Sequence, residues 1–445
     1  MLHGTELNRA GKVNRMNTRN LCLCLFLAAI VMPPAAHAQV NCGSGAASTK
    51  LICLIPVTVL AGAPGYTLSP ATVTSPISDS FAFLRSDIGG EISQIPLASP
   101  ASGIIFTIDP TLHVPVPSDQ SMGPILTQRA ETIGRHKIYV AATYQYFLLE
   151  DVDELGLKGP LTAAFPLNLT TNTNPTAPDA FAVGNTRVDL KVHQFVGYVT
   201  FGLTNRIDIS AAVPLLRVDM RYTINEQIFT PNAAPTTVPQ ISNAEEATGI
   251  GDVVLAAKLT AWKSKHAGLA FGAELRLPTG DAQNFLGSGT VGVKPFATFT
   301  RSGKFSPHFN VGYQFNGNTQ LVTNSAGKNG TLPARFLYSG GADWGITKRF
   351  TLALDVLAQR VIDSQRATIQ QNVEVTLRNG NSVSVFTLPQ ALHSGPGSYN
   401  HTDASAGFKL KPFGRLLLTA NLLVKLDRGG LRERMAPLFG ASYTF

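Results

Sequence analysis

The sequence predicts an all-β fold, a transmembrane antiparallel up-and-down β-barrel of about 12 strands, preceded by a mostly irregular N-terminal extension. Three observations carry this. From about residue 137 to Phe445 the chain repeats blocks in which apolar and polar residues alternate with period two. The connections between these blocks are alternately short and long, as the turns and outer loops of membrane barrels are. After residue 38 there is no apolar run of about 18 residues or more, so no helix can span a bilayer, and only a closed barrel satisfies its backbone there. Composition agrees: charged residues make up 14% of the 445, against roughly 25% in ordinary soluble proteins.

Residues 1–38 read as a secretory signal peptide. Arg9, Lys12, Arg15 and Arg19 form a basic start, residues 21–32 an apolar stretch, and Ala36-His37-Ala38 a small-x-small cleavage site. The long basic segment is also consistent with a start at Met16. Removing this segment lowers the formal charge from +8 to about +5, a mild excess that indicates no nucleic-acid partner. Cys42 and Cys53 remain near the mature start. In an oxidising compartment they are expected to form a disulfide.

Residues 39–135 form the extension. Its prolines recur from Pro56 to Pro124, too densely for long ladders. Residues 51–63 are its most apolar part and motivate the expectation that the extension threads into the barrel as a plug, with a periplasmic segment as the alternative.

Residues 136–445 form the barrel. Ile138, Val140, Ala142, Tyr144 and Tyr146 share one face of the first strand, and Ile207, Ile209, Ala211, Val213 and Leu215 one face of a later one. Similar blocks begin at Asp252, Leu269, His308, Asp403 and Arg415, with strands of about 10–14 residues expected. Within 188–203 the phase is ambiguous. Short turns fall at 204–205, 264–267, 302–304, 347–349 and 413–415. Long outer loops fall at 150–186, 225–249, 278–289, 321–334, 365–399 and 428–433. Outward aromatics near strand ends (Tyr144, Tyr146, Phe305, Phe315, Phe336, Tyr338, Trp344) suit interfacial girdles. In the last strand Phe439, Tyr443 and Phe445 share the apolar face, a pattern that resembles the signal read by bacterial barrel-assembly machinery.

Three stretches carry a further resemblance: Q128-R-A-E-T-I-G-R-H-K-I-Y139, G249-I-G-D-V-V-L-A-A-K258 and L277-P-T-G-D-A-Q-N-F-L-G-S-G289. Together they resemble the outer-membrane barrel family named after the MetA pathway of phenol degradation, over roughly 128–445. The resemblance implies an outer-membrane channel for small, often aromatic, molecules. The residues of the third stretch also have a local reading. Pro278 ends a ladder, Gly280 is expected to allow positive φ in the turn, and Asp281 and Asn284 can bond backbone amides. The segment is read as a structural loop, with an inward constriction as the alternative.

The faces opposite the apolar ones supply candidate lumen-lining residues: Asp208, Asp252, Lys258, Glu274, Arg276, Lys294, His308, Asp343, Asp355, His401, Asp403, Lys409 and Lys425. Mixed signs argue against a strongly ion-selective pore; cross-strand pairing is the plainer role. Arg428, Arg432 and Arg434 lie in the last outer loop, where a solvated loop face is the plainer role and contact with lipopolysaccharide phosphates the sharper one.

The chain is read as no enzyme. None of its nine histidines has a Ser two positions on, the spacing a Ser–His hydrolase on a barrel strand needs. His401 and Ser405 stand roughly 13 Å apart along a strand. No motif requires a cofactor or a metal. The resulting expectation is a monomeric bacterial outer-membrane channel, exported through the periplasm, for passive passage of small, hydrophobic or aromatic solutes. The alternative is a structural or surface-binding barrel acting through its long outer loops. Expected partners are outer-membrane lipid and lipopolysaccharide, the assembly machinery and a small-molecule solute.

Overall fold

In a computed structural model, the residues described are Cys42, 49–68, 88–98, 121–171, 178–323, 329–379 and 382–445, with the backbone alone of 106–108 and 115–117. The signal-peptide expectation for residues 1–38 lies outside them. Twelve antiparallel strands close into one barrel. They are β1 (Ile138–Val152), β2 (Ala180–Gly202), β3 (Ile207–Phe229), β4 (Ile241–Ile250 and Val253–Lys263, either side of Gly251-Asp252), β5 (Ala267–Leu277), β6 (Gly292–Arg301), β7 (Phe305–Asn316), β8 (Ala334–Thr347), β9 (Phe350–Asn379), β10 (Ser382–Leu410), β11 (Leu416–Lys425) and β12 (Met435–Thr444). Each pairs with its neighbour in sequence. β12 returns to β1 with Tyr443 opposite Val140 and Phe439 opposite Tyr144.

Around the turn-side half, apolar side chains point out and polar ones in. Phe195, Leu215, Leu259, Phe271, Phe309, Leu354 and Phe408 are exposed on the outside. This is the belt that meets hydrocarbon in a membrane barrel. Phe305, Trp344 and Phe445 ring its turn-side edge, with Tyr144, Phe315, Phe336 and Tyr338 toward the other. Phe439, Tyr443 and Phe445 all face outward. Among the described residues no helix is long and apolar enough to cross a membrane.

Farther from the turns the polarity reverses. On β2 the buried inward residues become Val188, Leu190 and Val192, and on β3 Val218, Met220, Tyr222 and Ile224. Outside stand Arg187, Asp189, Lys191, Arg217, Asp219 and Arg221. The apolar set changes parity at Gln194-Phe195 while the β2–β3 register runs on unbroken. This explains the ambiguous phase of 188–203: one strand crosses from a lipid-facing regime to an ordinary water-facing one, and each buries its apolar side differently.

The strands are therefore not uniformly 10–14 residues long. β2 and β3 have 23 residues each, and β9 and β10 have 30 and 29. Most of the expected loop 365–399 is paired strand, with Ala367, Val373, Val375 and Leu377 buried on its inner side. The expected loop 150–186 likewise holds the strand Leu161–Leu169, paired with β2. The two long hairpins meet near their ends. Phe181 and Phe229 stack at 4.7 Å, and Phe386 stands edge-on at 5.5 and 5.6 Å. Such pairs contribute roughly 0.5–1.5 kcal/mol beyond their buried area.

The extension is more regular than its prolines imply. After a 3₁₀ turn at Leu51–Cys53, the helix α1 (Leu54–Gly62) packs against β3 and β4. Its sequence lacks helical periodicity because apolar residues occupy every face, including the half-open face of Val57, Leu60 and Ala61. Pro56 sits in its first turn, where the missing N–H costs nothing. Thr58 Oγ1 bonds Leu54 O at 2.7 Å and accepts from Asn243 Nδ2 at 3.2 Å. Cys42 and Cys53 are joined by a disulfide. Tyr66–Leu68 adds a strand to Leu161–Leu169. Residues 51–63 thus cap the outer end; the lumen itself is filled by 88–98 and 121–135.

Replacing Cys42 and Cys53 by Ser removes a loop closure worth about 2–3 kcal/mol. Limited trypsinolysis is expected to cut after Lys50 in that variant and spare the oxidised parent. The barrel's heat-modifiable migration in detergent should not change.

Candidate functional site: a chamber between two seals

Inside the barrel the extension forms two barriers with a cavity between them. The first spans the turn-side mouth. Its residues 121–135 have no regular ladder, so their backbone groups need side-chain partners. The barrel's inward charges supply them. Lys258 Nζ donates to Arg129 O at 2.9 Å and Glu131 O at 2.8 Å, and lies 3.9 Å from Asp208. Asp208 accepts from Ile133 N at 3.1 Å. Lys409 Nζ donates to Met122 O and Pro124 O at 3.2 and 2.6 Å. Thr351 and Thr300 hydroxyls accept from Met122 N and Ala130 N, each at 3.0 Å. Ser121 bonds Asp343.

His308 lies in this barrier. Its Nε2 is 2.6 Å from Asp355 and 2.9 Å from Thr127 Oγ1, and its Nδ1 is 3.3 Å from Asp343. Hydroxyl, imidazole and carboxylate are thus adjacent, as in a hydrolase. Both ring nitrogens face carboxylates, however, so neither is left to take a proton from the Thr127 hydroxyl.

The second barrier is a short helical stretch, 88–92, carrying Glu91. Arg335 Nη2 reaches the Glu91 carboxylate at 3.0 Å, the Tyr399 hydroxyl bonds it, and His401 Nδ1 lies at 3.8 Å. Arg335 also donates to Gln359 at 3.1 Å. Alongside, Arg432 pairs with Asp403 at 2.5 Å and donates to Thr402 O at 2.9 Å. Arg432 is 0% exposed, which removes it from the outer-loop arginines expected to be open to lipopolysaccharide phosphates; Arg428 and Arg434 remain exposed.

Between the barriers lies a cavity of ≈ 250 Å³. Residues 92–98 and 126–128 contribute to its walls, together with β2–β10. The loop after β5 contributes Leu286, so this loop folds inward. Asp252 holds it there, accepting from Gly280 N at 3.1 Å and Ser288 N at 2.8 Å. Gly280 does not take positive φ; Phe285 (φ 56) and Gly289 (φ 65) do. Gly280 is required by proximity instead, since a Cβ there would stand 2.4 Å from Leu286 O. Asn284 accepts from Leu51 N at 3.2 Å and Asp281 pairs with Lys50 at 2.8 Å, which ties the loop to the base of α1.

The candidate lumen residues fall into three places. Asp252, Glu274, Arg276, Lys294, His401 and Asp403 line the cavity. Cross-strand pairs join Lys294 to Glu274 (2.6 Å) and Arg276 to Asp252 (3.8 Å). Asp208, Lys258, His308, Asp343, Asp355 and Lys409 are buried in or beside the mouth barrier. Lys425 pairs with Asp151 at the far end of β11. Sequence reasoning missed Glu91, Arg335 and Tyr399. The one available signal was Glu91 itself, a carboxylate between Ile88 and Ile92, which are spaced for one helical face.

The family described as "Putative MetA-pathway of phenol degradation" matches residues 171–388. Among curated proteins no match is found. Among solved structures, the COG4313 outer membrane channel from Pseudomonas putida F1 is similar at 12% identity over 71% of this chain and 98% of that one, with a TM-score of 0.40. A Pseudomonas aeruginosa FadL homologue is similar at 10% identity over 70% and 90%, TM-score 0.31. The Ralstonia pickettii toluene transporter TbuX is similar at 10% over 70% and 90%, TM-score 0.28.

Glu91 makes the second barrier pH-dependent. Burial alone raises its carboxyl, but Arg335, His401, the Tyr399 hydroxyl and Arg432 together outweigh burial and hold it below the ordinary carboxylate range. A depressed carboxyl contributes its stability above the unfolded-state value and loses it as pH falls through the folded one. The protection of residues 88–94 from hydrogen exchange, taken relative to the intrinsic amide rate at each pH, is therefore expected to stay high from about pH 8 to about pH 5, and to fall only below about pH 4. Glu91→Gln, which leaves Arg335 buried without its counter-ion at a cost of roughly 3 kcal/mol, should show low protection at every pH.

Proposed function

We propose that this chain, which resembles the MetA-pathway family over 171–388, is an outer-membrane channel for passive passage of small, mostly apolar solutes. Its own N-terminal extension holds it closed. The observation that carries this reading is the cavity of ≈ 250 Å³ inside a barrel with an apolar outer belt, walled by strands β2–β10 and bounded along the barrel by extension residues 92–98 and 126–128. A wall closed by ladder hydrogen bonds opens only by breaking many of them. The two barriers are held by side chains and can be released locally. Mixed interior charges, largely paired, favour neutral cargo over ions.

Insertion would proceed through the barrel-assembly machinery, with Phe439, Tyr443 and Phe445 as the recognised face, and the barrel would act as a monomer in contact with lipid and lipopolysaccharide. A second reading, a surface-binding barrel, draws on one observation: β2–β3 and β9–β10 extend far past the apolar belt and present a polar outer face.

Planar-bilayer recording of the mature chain separates the two. Deleting residues 40–127 should raise single-channel conductance severalfold if the extension closes the channel. Unchanged conductance would count against an extension plug. A barrel that inserts and never conducts, with or without the deletion, would favour the surface-binding reading.

A further inference from the structure

Beyond the apolar belt the inward face of β3 is apolar except at one acid. Val218, Met220, Ile224 and Ile228 are buried there, and so is Glu226, which is 2% exposed. Asn225 and Gln227 beside it are exposed on the outside, so this height of the barrel stands in water. Among the described residues neither carboxyl oxygen of Glu226 has a hydrogen-bond partner. The carboxyl lies under α1. A Cβ added to Gly62, the last residue of that helix, would fall 1.8 Å from Glu226 Oε1 and 3.1 Å from Ile241 Cδ1. Glycine at this position is what lets the helix end rest on the carboxyl.

Such a place suits a neutral acid and not an anion. The last turn of a helix presents carbonyls without intrahelical donors and the negative end of the helix dipole. A protonated carboxyl has an O–H to offer them; a carboxylate has only acceptors. No cation compensates among the described residues. α1 contains no ionisable side chain. On β2, Gly184 stands opposite Glu226, flanked on the inner face by Ala182 and Thr186. On β4, Ile241 and Asn243 meet α1, and Glu245, two residues on along that face, is exposed. Val238 N donates to Glu226 O at 2.9 Å, and residues 230–240 carry no ionisable side chain. Tyr66–Leu68 and Leu161–Leu169 bring only the Tyr66 phenol. The buried Tyr222 phenol is pushed up by burial and by Glu226 itself. Burial alone therefore acts on the Glu226 carboxyl, and raises it from 4.5 to about 7.

We propose that Glu226 is a pH-sensing latch for the outer cap: α1 lies closed on β3 and β4 while the carboxyl is protonated, and its C-terminal half lifts when the carboxyl ionises. Lys50 with Asp281, Leu51 with Asn284 and the Tyr66–Leu68 ladder hold the segment on either side, so the release is local, between fixed points. It concerns the cap alone and stands whether or not the barrel conducts. Closure makes the acid weaker, so it is fully favoured below the open-state value near 4.5 and is lost as pH rises, about tenfold per pH unit, levelling off above about 7. This is the opposite direction from Glu91, whose barrier is firmest above the acid range.

Hydrogen exchange read by mass spectrometry on the refolded mature chain, disulfide intact, tests the latch. Protection is taken relative to the intrinsic amide rate at each pH. A helix of 9 residues does not keep its amides protected once undocked. Protection of residues 58–63 is expected to fall roughly 50- to 100-fold between about pH 5 and about pH 8, while residues 88–94 stay protected. Glu226→Gln, neutral at every pH, should keep its acid-range protection at about pH 8 to within about threefold. Glu226→Leu, which asks for no hydrogen bond, should do the same if the amide packs poorly. Protection of 58–63 that does not change with pH in the parent would overturn the proposal. So would an equal fall in both variants, which would put the sensor elsewhere. Variants unprotected at both pH values would mean that the carboxyl holds the cap down rather than releasing it, and would overturn it as well.

Discussion

The ladder between β12 and β1 is the contact on which the rest of the molecule depends. In hydrocarbon an unpaired backbone amide costs several kcal/mol, so a sheet that crosses it can have no free edge. Pairing Tyr443 with Val140 and Phe439 with Tyr144 removes the edge. Closure then fixes which side chains share an interior, and side chains of alternating parity must face either lipid or lumen. The interior it creates is too wide for the barrel's own side chains to fill. The extension fills it, and the inward lysines and carboxylates find partners in the extension's backbone.

This division of labour has an energetic logic. Residues 121–135 carry peptide groups that no ladder satisfies, while β3, β4 and β10 carry Asp208, Lys258 and Lys409, charges that no solvent reaches. Each set would be costly alone. Together, ammonium groups bond carbonyls and a carboxylate bonds an amide, and both desolvation costs are offset by charge-assisted hydrogen bonds. Glu91 and Arg335 repeat the arrangement nearer the outer end. The barriers are thus polar contacts within an otherwise rigid wall.

Much of the fold was legible in the sequence because lipid and lumen impose opposite demands on alternate residues. The strand order and the turns followed from parity together with the alternation of short and long connections, and the inward direction of Asp252, Lys258 or His308 from parity. Legibility failed where that contrast ends. Past Gln194 the outside of β2 is water, so Val188, Leu190 and Val192 turn inward and the alternation changes phase. In 365–399, Gln, Thr and Asn on the wet side made a paired hairpin look like a loop. Helix α1 showed no period because its residues are apolar on every face, the half-open one of Val57, Leu60 and Ala61 included. The cavity was partly readable: Glu274, Lys294 and Arg276 were found by their charge. Gln194, a neutral amide on the same wall, gave no such signal.

The position of the extension constrains the order of assembly. Residues 121–135 lie within the turn-side mouth, and their end is joined directly to the start of β1. Tyr66–Leu68 is hydrogen-bonded at the opposite end of the same barrel. A finished cylinder would have to admit this chain lengthwise through an opening that its own side chains occupy. The simpler history is that the extension is laid down first and the strands are wound around it, β12 reaching β1 last. The segment that closes the lumen would then also be the mandrel on which the cylinder is formed.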